Sequence, residues 1–461
     1  MATVLQLAPT QRGGAWALAA FVADVTVPTA ARDVARNAFL DTVGVALAGT
    51  VEPAARIVQR LVAAEGGAPQ CAVWGTAQRT SAAAAALANG TAAHALDYDD
   101  ISFVSLAHPS APLVAAALAA GEMVGASGQA VLDGYVVGFE VEGVLGRALN
   151  PAHYQRGWHC TSTLGTVGAA AAVARILGLD VETTLHALAI AASTAAGLKE
   201  NFGTMVKPLH AGMAARNAVQ AALLAQSGFT AAEQAIDGPQ GMLTAMDGTR
   251  QDLEGLTAAL GQRWEILETG IAVKLYPSCA ATHPPLDALL ELRRHHGFSA
   301  DDVERVDIAV DAITPTVLIY DHPSSGLEGK FSLQFCAAAA MVDGVVAVDT
   351  FDAEHLTDPR IAAIAARVTM RVDPSLRADA PALTQACVTV HLRDGRALSQ
   401  AADGARGYPE HPASTAELEE KFRACASRAL PLTGVEAALS TLRNLGDVPN
   451  VGHVTRLLVT A

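Results

Sequence analysis

Apolar residues recur with helical spacing from Gly14 to about Leu260, in alanine-rich stretches set off by short Gly, Pro and Asn punctuation. The pattern predicts helices over Ala30–Ala48, Ser81–Leu96, Ala111–Gly121, Val131–Leu149, Thr163–Leu177, Val181–Gly197, His210–Ser227 and Ala231–Ile236. Ser81 and Thr230 suit helix starts, and Gly178 and Gly228 suit helix ends. Near Trp264 the texture changes. Val303–Val310, Val368–Val372 and Val388–Leu392 alternate apolar and polar residues with period two, and Asp394-Gly395 after the last of them marks a hairpin turn. Helical segments at Leu286–His295 and Phe331–Val342 lie between these strands, so residues 271–404 read as an α/β domain of antiparallel strands with helices. Helical spacing returns at Ser414–Ala429 and Thr433–Leu445, which are expected to pack back on the first body. The expected class is mainly α: an all-helical domain built from residues 1–270 and 405–461, with a smaller α/β domain at 271–404.

A chain of 461 residues is too long for one ordinary core. Hydrophobic residues make up 51% and charged ones 17%, which excludes a disordered chain. The longest uncharged apolar runs, Thr161–Ala174 and Leu185–Leu198, fall short of the ~20 residues a membrane span needs. The net charge of −15 and the absence of a basic stripe argue against nucleic acid and anionic membrane as partners. Met1–Arg12 lacks the charged and apolar regions of a secretory signal, and the six cysteines form no CxxC pair; both point to a reducing cytoplasm. Against 26 arginines stand only five lysines: Lys199, Lys207, Lys274, Lys330 and Lys421. In so arginine-rich a chain, a position that stays lysine suggests a need for a compact ammonium that can also lose its proton.

Four clusters carry candidate chemistry. The run His94-Ala-Leu-Asp97-Tyr98-Asp99-Asp100, with His108-Pro109-Ser110, sits between two apolar helices. Helix capping by Asp99, Asp100 or Ser110 would explain part of it, and a mixed metal site of His94, Asp97 and His108 is a second possibility. His159 precedes the Ser/Thr-rich start of a helix, a location that binds anions. Lys207, with Pro208 after it, is expected in an extended segment before a helix starting at His210, beside a helix N-terminus that would lower its pKa and attract carboxylates. Lys274 lies at the junction between the two bodies, where clefts form, in the run Lys274-Leu-Tyr-Pro-Ser-Cys279-Ala-Ala-Thr-His283. Cys279 with His283 could supply a thiol nucleophile, or Cys279 could simply pack.

The chain shows neither a Gly-rich phosphate cradle nor a GxSxG elbow. Cations, imidazoles and a carboxylate in one pocket suit a small polycarboxylate substrate. The chemistry such groups perform unaided is removal of a proton from carbon beside a carboxylate, with fixed cations stabilising the charge that develops. Asp97, His159 and Lys274 are each candidates for the base.

The segments HALDYDD…HPS, GTMVKPLHAGMAA, AIDGPQGM, KLYPSCAATH and KFSLQF, in this order over nearly the whole chain, resemble the MmgE/PrpD family. The resemblance implies a helical domain from both chain ends, an α/β lid, a homodimer, and chemistry without metal or organic cofactor. It implies a lyase of the 2-methylcitrate dehydratase or cis-aconitate decarboxylase kind, or alternatively an epimerase of the iminodisuccinate kind. A non-catalytic carboxylate-binding homologue is the remaining alternative. By resemblance Asp97, His108, His159, Lys207 and Lys274 line the pocket and Tyr320 matches a tyrosine of the lid; Cys279, His283 and His210 are added as substrate-binding candidates. Two departures stand out. Family decarboxylases carry a histidine five residues after the second lysine, where this chain has Cys279, and their threonine after Asp-x-Asp-Asp is replaced here by Ile101-Ser102 with a longer spacing to His108.

Overall fold

The computed structural model describes residues 13–247, 253–376 and 385–460; Met1–Arg12 lie outside it. Long helices run over Thr29–Gly49, Ala82–His94, Ser110–Val124, Gly128–Leu149, Cys160–Leu177, Val181–Thr194 and Val206–Gln226, each within a few residues of the predicted span. Helices Gly14–Asp24 and Pro53–Glu65 join them. Ser81 caps its helix through a side-chain bond from the Ala84 N–H, and Gly178 ends another in the left-handed conformation. The helix expected at Ala231–Ile236 does not form; those residues make turns. Six residues that run into Asp237-Gly238-Pro239 are too few to repay helix nucleation.

Alanine and glycine on facing helices let backbones approach closely. A Cβ added to Gly212 would stand 2.2 Å from Thr91 Oγ1 and 2.4 Å from the Leu87 carbonyl oxygen, and one added to Gly90 would stand 3.0 Å from Gly212 Cα. This seam joins helices Ala82–His94 and Val206–Gln226, whose ends carry His94 and Lys207. Gly212→Ala is therefore expected to destabilise the fold by about 1–3 kcal/mol, as overpacking does, and a thermal melt would read the loss. An unchanged midpoint would mean the seam has slack.

Two hydrophobic cores result. The first gathers residues from Ala15 to Ile266 and takes in Leu418–Leu458 from the other end of the chain. The second runs from Tyr276 to Leu392. The returning segment forms helices Thr415–Ala426 and Leu432–Arg443. The first of these opens with a capping box, in which Ser414 Oγ accepts from the Glu417 N–H and the Glu417 carboxylate accepts from the Ser414 N–H. The second core rests on a four-stranded sheet. With β1 (Cys71–Ala72) and β2 (Arg79–Thr80) forming a small ribbon in the first body, the sheet strands are β3 (Val303–Val310), β4 (Val368–Val372), β5 (Gln385–Leu392) and β6 (Ala397–Asp403), in the order β4-β3-β5-β6. Along β5 the residues Ala386, Val388, Val390 and Leu392 are buried and their neighbours are half-buried, the period of a strand with one face on a core. The sheet is not all antiparallel as expected: β3 pairs with β4 in parallel, Val306 opposite Val368. Helices Leu333–Asp343 and Pro359–Ala365 lie between those strands and supply the crossover that a parallel pair requires.

Among the described residues the helix Cys160–Leu177 is long and apolar enough to cross a membrane, and 83% of it is buried inside the protein.

Candidate active site

Four chain segments converge on one cavity. Helix Ala82–His94 ends in His94 and passes into a turn where Asp97 takes a left-handed backbone (φ 52°), rare for a residue with a Cβ. Helix Val206–Gln226 brings Lys207 in its first turn. Lys207 is thus helical, not extended as Pro208 led one to expect. A proline in the first helical turn gives up only an N–H that has no partner there, so the helix tolerates it. His159 stands just before helix Cys160–Leu177, with its N–H donated to the Gly197 carbonyl at 3.0 Å. Lys274 comes from the segment joining the two cores. The cavity, about 480 Å³, is lined by Asp97, Lys207, His159 and Lys274 and by His108, Cys279 and Lys199, with His94 behind the wall. Apolar walls come from the first body (Ile101, Phe103, Leu106) and the second (Ile313, Val317, Phe331).

Asp97 is the hub. Its Oδ1 accepts from Lys207 Nζ at 2.5 Å, Lys274 Nζ lies 3.0 Å from its Oδ2 and 2.7 Å from its carbonyl oxygen, and His108 Nε2 lies 3.5 Å from Oδ1. Lys207 also meets His94 Nε2 at 2.9 Å, while His94 Nδ1 bonds Asp99 at 2.7 Å. Lys274 is wholly buried and Lys207 nearly so. Burial alone would raise the Asp97 carboxyl pKa, but Lys207, then Lys274 and the nearby histidines, hold it well below the usual carboxylate range. Burial drives both His108 and His159 well below the ordinary imidazole value, reinforced by Lys274 and Lys207 at His108 and by Lys207 at His159, and His94 also goes down, chiefly by burial. The site therefore sets two lysines around one carboxylate, with imidazoles held toward their neutral form beside them.

The ligand atoms of His94, Asp97, Asp99 and His108 lie within 4.8 Å of one another. The metal possibility fits them poorly, because Lys207 already sits on the oxygen and nitrogen that a cation would need. Asp99 does not cap a helix but orients His94; Asp100 does cap, accepting from the Ser110 N–H at 3.2 Å. Burial pushes the Asp100 carboxyl up to about 8.

The remaining candidates divide. Cys279 is on the cavity wall, with its thiol pushed up to about 11 by burial and by Asp97, which makes it a packing group and a poor nucleophile. His210 is off the wall, its Nδ1 3.0 Å from His159 Nδ1. His283 is fully buried between Tyr276 and Tyr408, its Nε2 3.2 Å from the Ser278 carbonyl, and does not reach the cavity. Tyr320 does not line the cavity either. Its hydroxyl donates to the Phe202 carbonyl at 3.0 Å and so braces the turn at Gly203 (φ 82°), next to the Phe202 ring that does line it.

The scarcity of lysine pointed further than the four clusters did. Lys199 lines the cavity, its ammonium 3.6 Å from the centre of the Tyr154 ring. Lys330 is buried behind Cys279, donating to the Pro277 carbonyl at 2.8 Å. Lys421, from the far end of the chain, is buried too and ion-paired to Asp41 at 2.6 Å. Four of the five lysines are buried and the fifth is half-buried.

Two imidazoles, His283 fully buried and His210 half-buried, set an acid limit. In the folded chain His210 is held down to about 4 and His283 to about 3, against an ordinary value of 6.5, with burial the first cause for both. A depressed histidine leaves stability intact above its unfolded pKa and removes it as pH falls from there toward the folded value, because the unfolded chain takes up protons first. The urea midpoint is expected to fall steadily from about pH 6.5 to about pH 4, and His283→Phe should flatten that slope. A midpoint constant over this window would contradict the assignment.

Residues 16–253 match the MmgE/PrpD N-terminal domain and residues 276–446 the MmgE/PrpD C-terminal domain. The chain belongs to the MmgE/PrpD family. Within it, this member is 30% identical to cis-aconitate decarboxylase of Mus musculus over 92% of the chain and 88% of that protein. It is 29% identical to cis-aconitate decarboxylase of Homo sapiens over 92% and 89%, and 25% identical to that of Aspergillus terreus over 84% and 83%. These relatives are named as decarboxylases, so the family to which this chain belongs includes lyases. The C-terminal match runs through helix Thr415–Ala426, whose Leu418 and Phe422 pack in the first core.

Proposed function

We propose that the protein is a cofactor-independent lyase that acts on a small di- or tricarboxylate by removing a proton from the carbon beside a carboxylate. The observation that carries this reading is Asp97 held between the ammoniums of Lys207 and Lys274 in a mostly apolar cavity. Asp97 fixes both cations before substrate arrives, so their desolvation and alignment are settled in the folded protein. An incoming carboxylate shares them, and as the α-proton leaves, the charge that spreads onto that carboxylate meets cations already in place. With Lys199 the wall carries three ammoniums against one carboxylate, a surplus suited to a polyanionic acid.

The geometry favours one base. Asp97 is too strongly stabilised as an anion to take a proton readily, and the Lys274 ammonium is engaged by Asp97 through both its carboxylate and its carbonyl. His159 is on the wall, and its Nε2 is buried without a hydrogen-bond partner among the described residues, while Nδ1 faces His210. We assign His159 Nε2 to the α-proton, with His108 as the second proton-carrying group for the departing side. A bound polyanion raises the basicity of His159, which counters the effect of burial.

The experiment is a side-by-side incubation of citrate, 2-methylcitrate, cis-aconitate and iminodisuccinate in D₂O, followed by NMR. Cis-aconitate leads because the relatives are named for it. Net loss of water supports α-proton removal followed by departure of hydroxide; loss of carbon dioxide also supports the lyase, with the electron pair of the broken C–C bond taking up a proton from the site instead of a proton being removed. Exchange of the α-proton without net product would make the protein an epimerase instead, and binding without exchange would make it a non-catalytic carboxylate binder.

A further inference from the structure

We infer that Lys421, paired with Asp41, is a positioning residue that holds the Asp97 turn in the shape the site requires; this rests on the reading of Asp97 as the group that fixes the two ammoniums. Lys421 Nζ donates at 2.9 Å to the carbonyl of Tyr98, the residue immediately after Asp97. The same ammonium lies 2.6 Å from Asp41 Oδ1 and 4.0 Å from the centre of the Tyr98 ring. The Tyr98 hydroxyl in turn donates to the Leu275 carbonyl at 3.2 Å, next to Lys274. One ammonium thus ties together the strained turn and, through Tyr98, the segment that carries the second cavity lysine. The turn gains from such a hold, because φ 52° is a left-handed conformation that residues with a Cβ adopt at some cost, aspartate less than most.

Stability gives no sufficient reason for this pair. Lys421 and Asp41 are 6% and 2% exposed, and a buried ion pair roughly breaks even against apolar residues of the same size. Lys421 touches neither the cavity nor any reacting atom, so its effect on chemistry passes through Asp97. It sits on helix Thr415–Ala426, packed against helix Thr29–Gly49, which carries Asp41.

Two variants separate positioning from stability. Lys421→Met alone strands Asp41 as a buried, unpaired carboxyl and should lower the melting midpoint. The double variant Asp41→Leu with Lys421→Met removes both charges and should recover most of the midpoint. With kcat measured per folded molecule, well below every midpoint, the double variant should remain about 10- to 100-fold slow, with KM within a few-fold of the parent, the scale of a small misplacement of catalytic groups. Recovery of kcat together with the midpoint would overturn the inference. If the parent protein turns over none of the acids tested, the lyase reading fails separately, and the clamp is judged on a crystal structure of the double variant. Loss of the Asp97–Lys274 contact supports it, and an unchanged Asp97 backbone and contact overturn it.

Discussion

Lys274→Met and Lys207→Met enzymes should turn over substrate at least about 100-fold more slowly than the parent, the scale of losing one preorganised stabiliser of a developing oxyanion. The two replacements differ in their cost to folding. Lys274 is wholly buried and contacts Asp97 through both the carboxylate and the carbonyl, so removing it leaves a buried carboxylate half-paired and the fold weaker, by up to the 3–5 kcal/mol typical of a broken buried pair. Lys207 lies at the cavity wall near Phe202 and Phe331, where water can reach more easily once the side chain is shortened. Initial rates per folded molecule, with the folded fraction read by circular dichroism, separate the effects. Near-normal rates in both variants would remove the ammonium pair from the mechanism.

His159→Asn is the second large effect. It keeps a hydrogen-bonding group of similar width but takes away the bare Nε2, and α-proton exchange in D₂O should fall by about 10²- to 10⁴-fold, the usual worth of a positioned general base. Substrate affinity should change little, since the cations that hold carboxylates are untouched. If exchange survives in His159→Asn and disappears in Asp97→Asn, the roles assigned to these two residues must be exchanged.

Much of the fold was written in the chain because its helices are long and punctuated. Gly178 and Ser81 each do what their types suggest, and β3 and β4 fall where the period-two pattern put them. What sequence spacing did not give was strand direction. Whether β4 runs parallel or antiparallel to β3 depends on the helices between them packing across the sheet, not on the alternation within either strand. The site was legible as residue types: Asp97, His108, His159, Lys207 and Lys274 meet on one wall. Its supports were less so. His283 and Tyr320 look like binding groups in one dimension, yet one is buried between two tyrosines and the other props a backbone carbonyl. Lys421 lies 323 residues from Tyr98, and nothing local to either marks their partnership. The rarity of lysine was the one signal that reached all of these supporting ammoniums.

Because Lys421 lies 323 residues after Tyr98, the Asp97 turn stays without its anchor until that distant helix has been made. A nascent chain can stack its early helices as they emerge from the ribosome, but the first core lacks Leu418 and Phe422 until residues 415–426 follow. A chain arrested before residue 415 should therefore carry most of its helices and none of its activity.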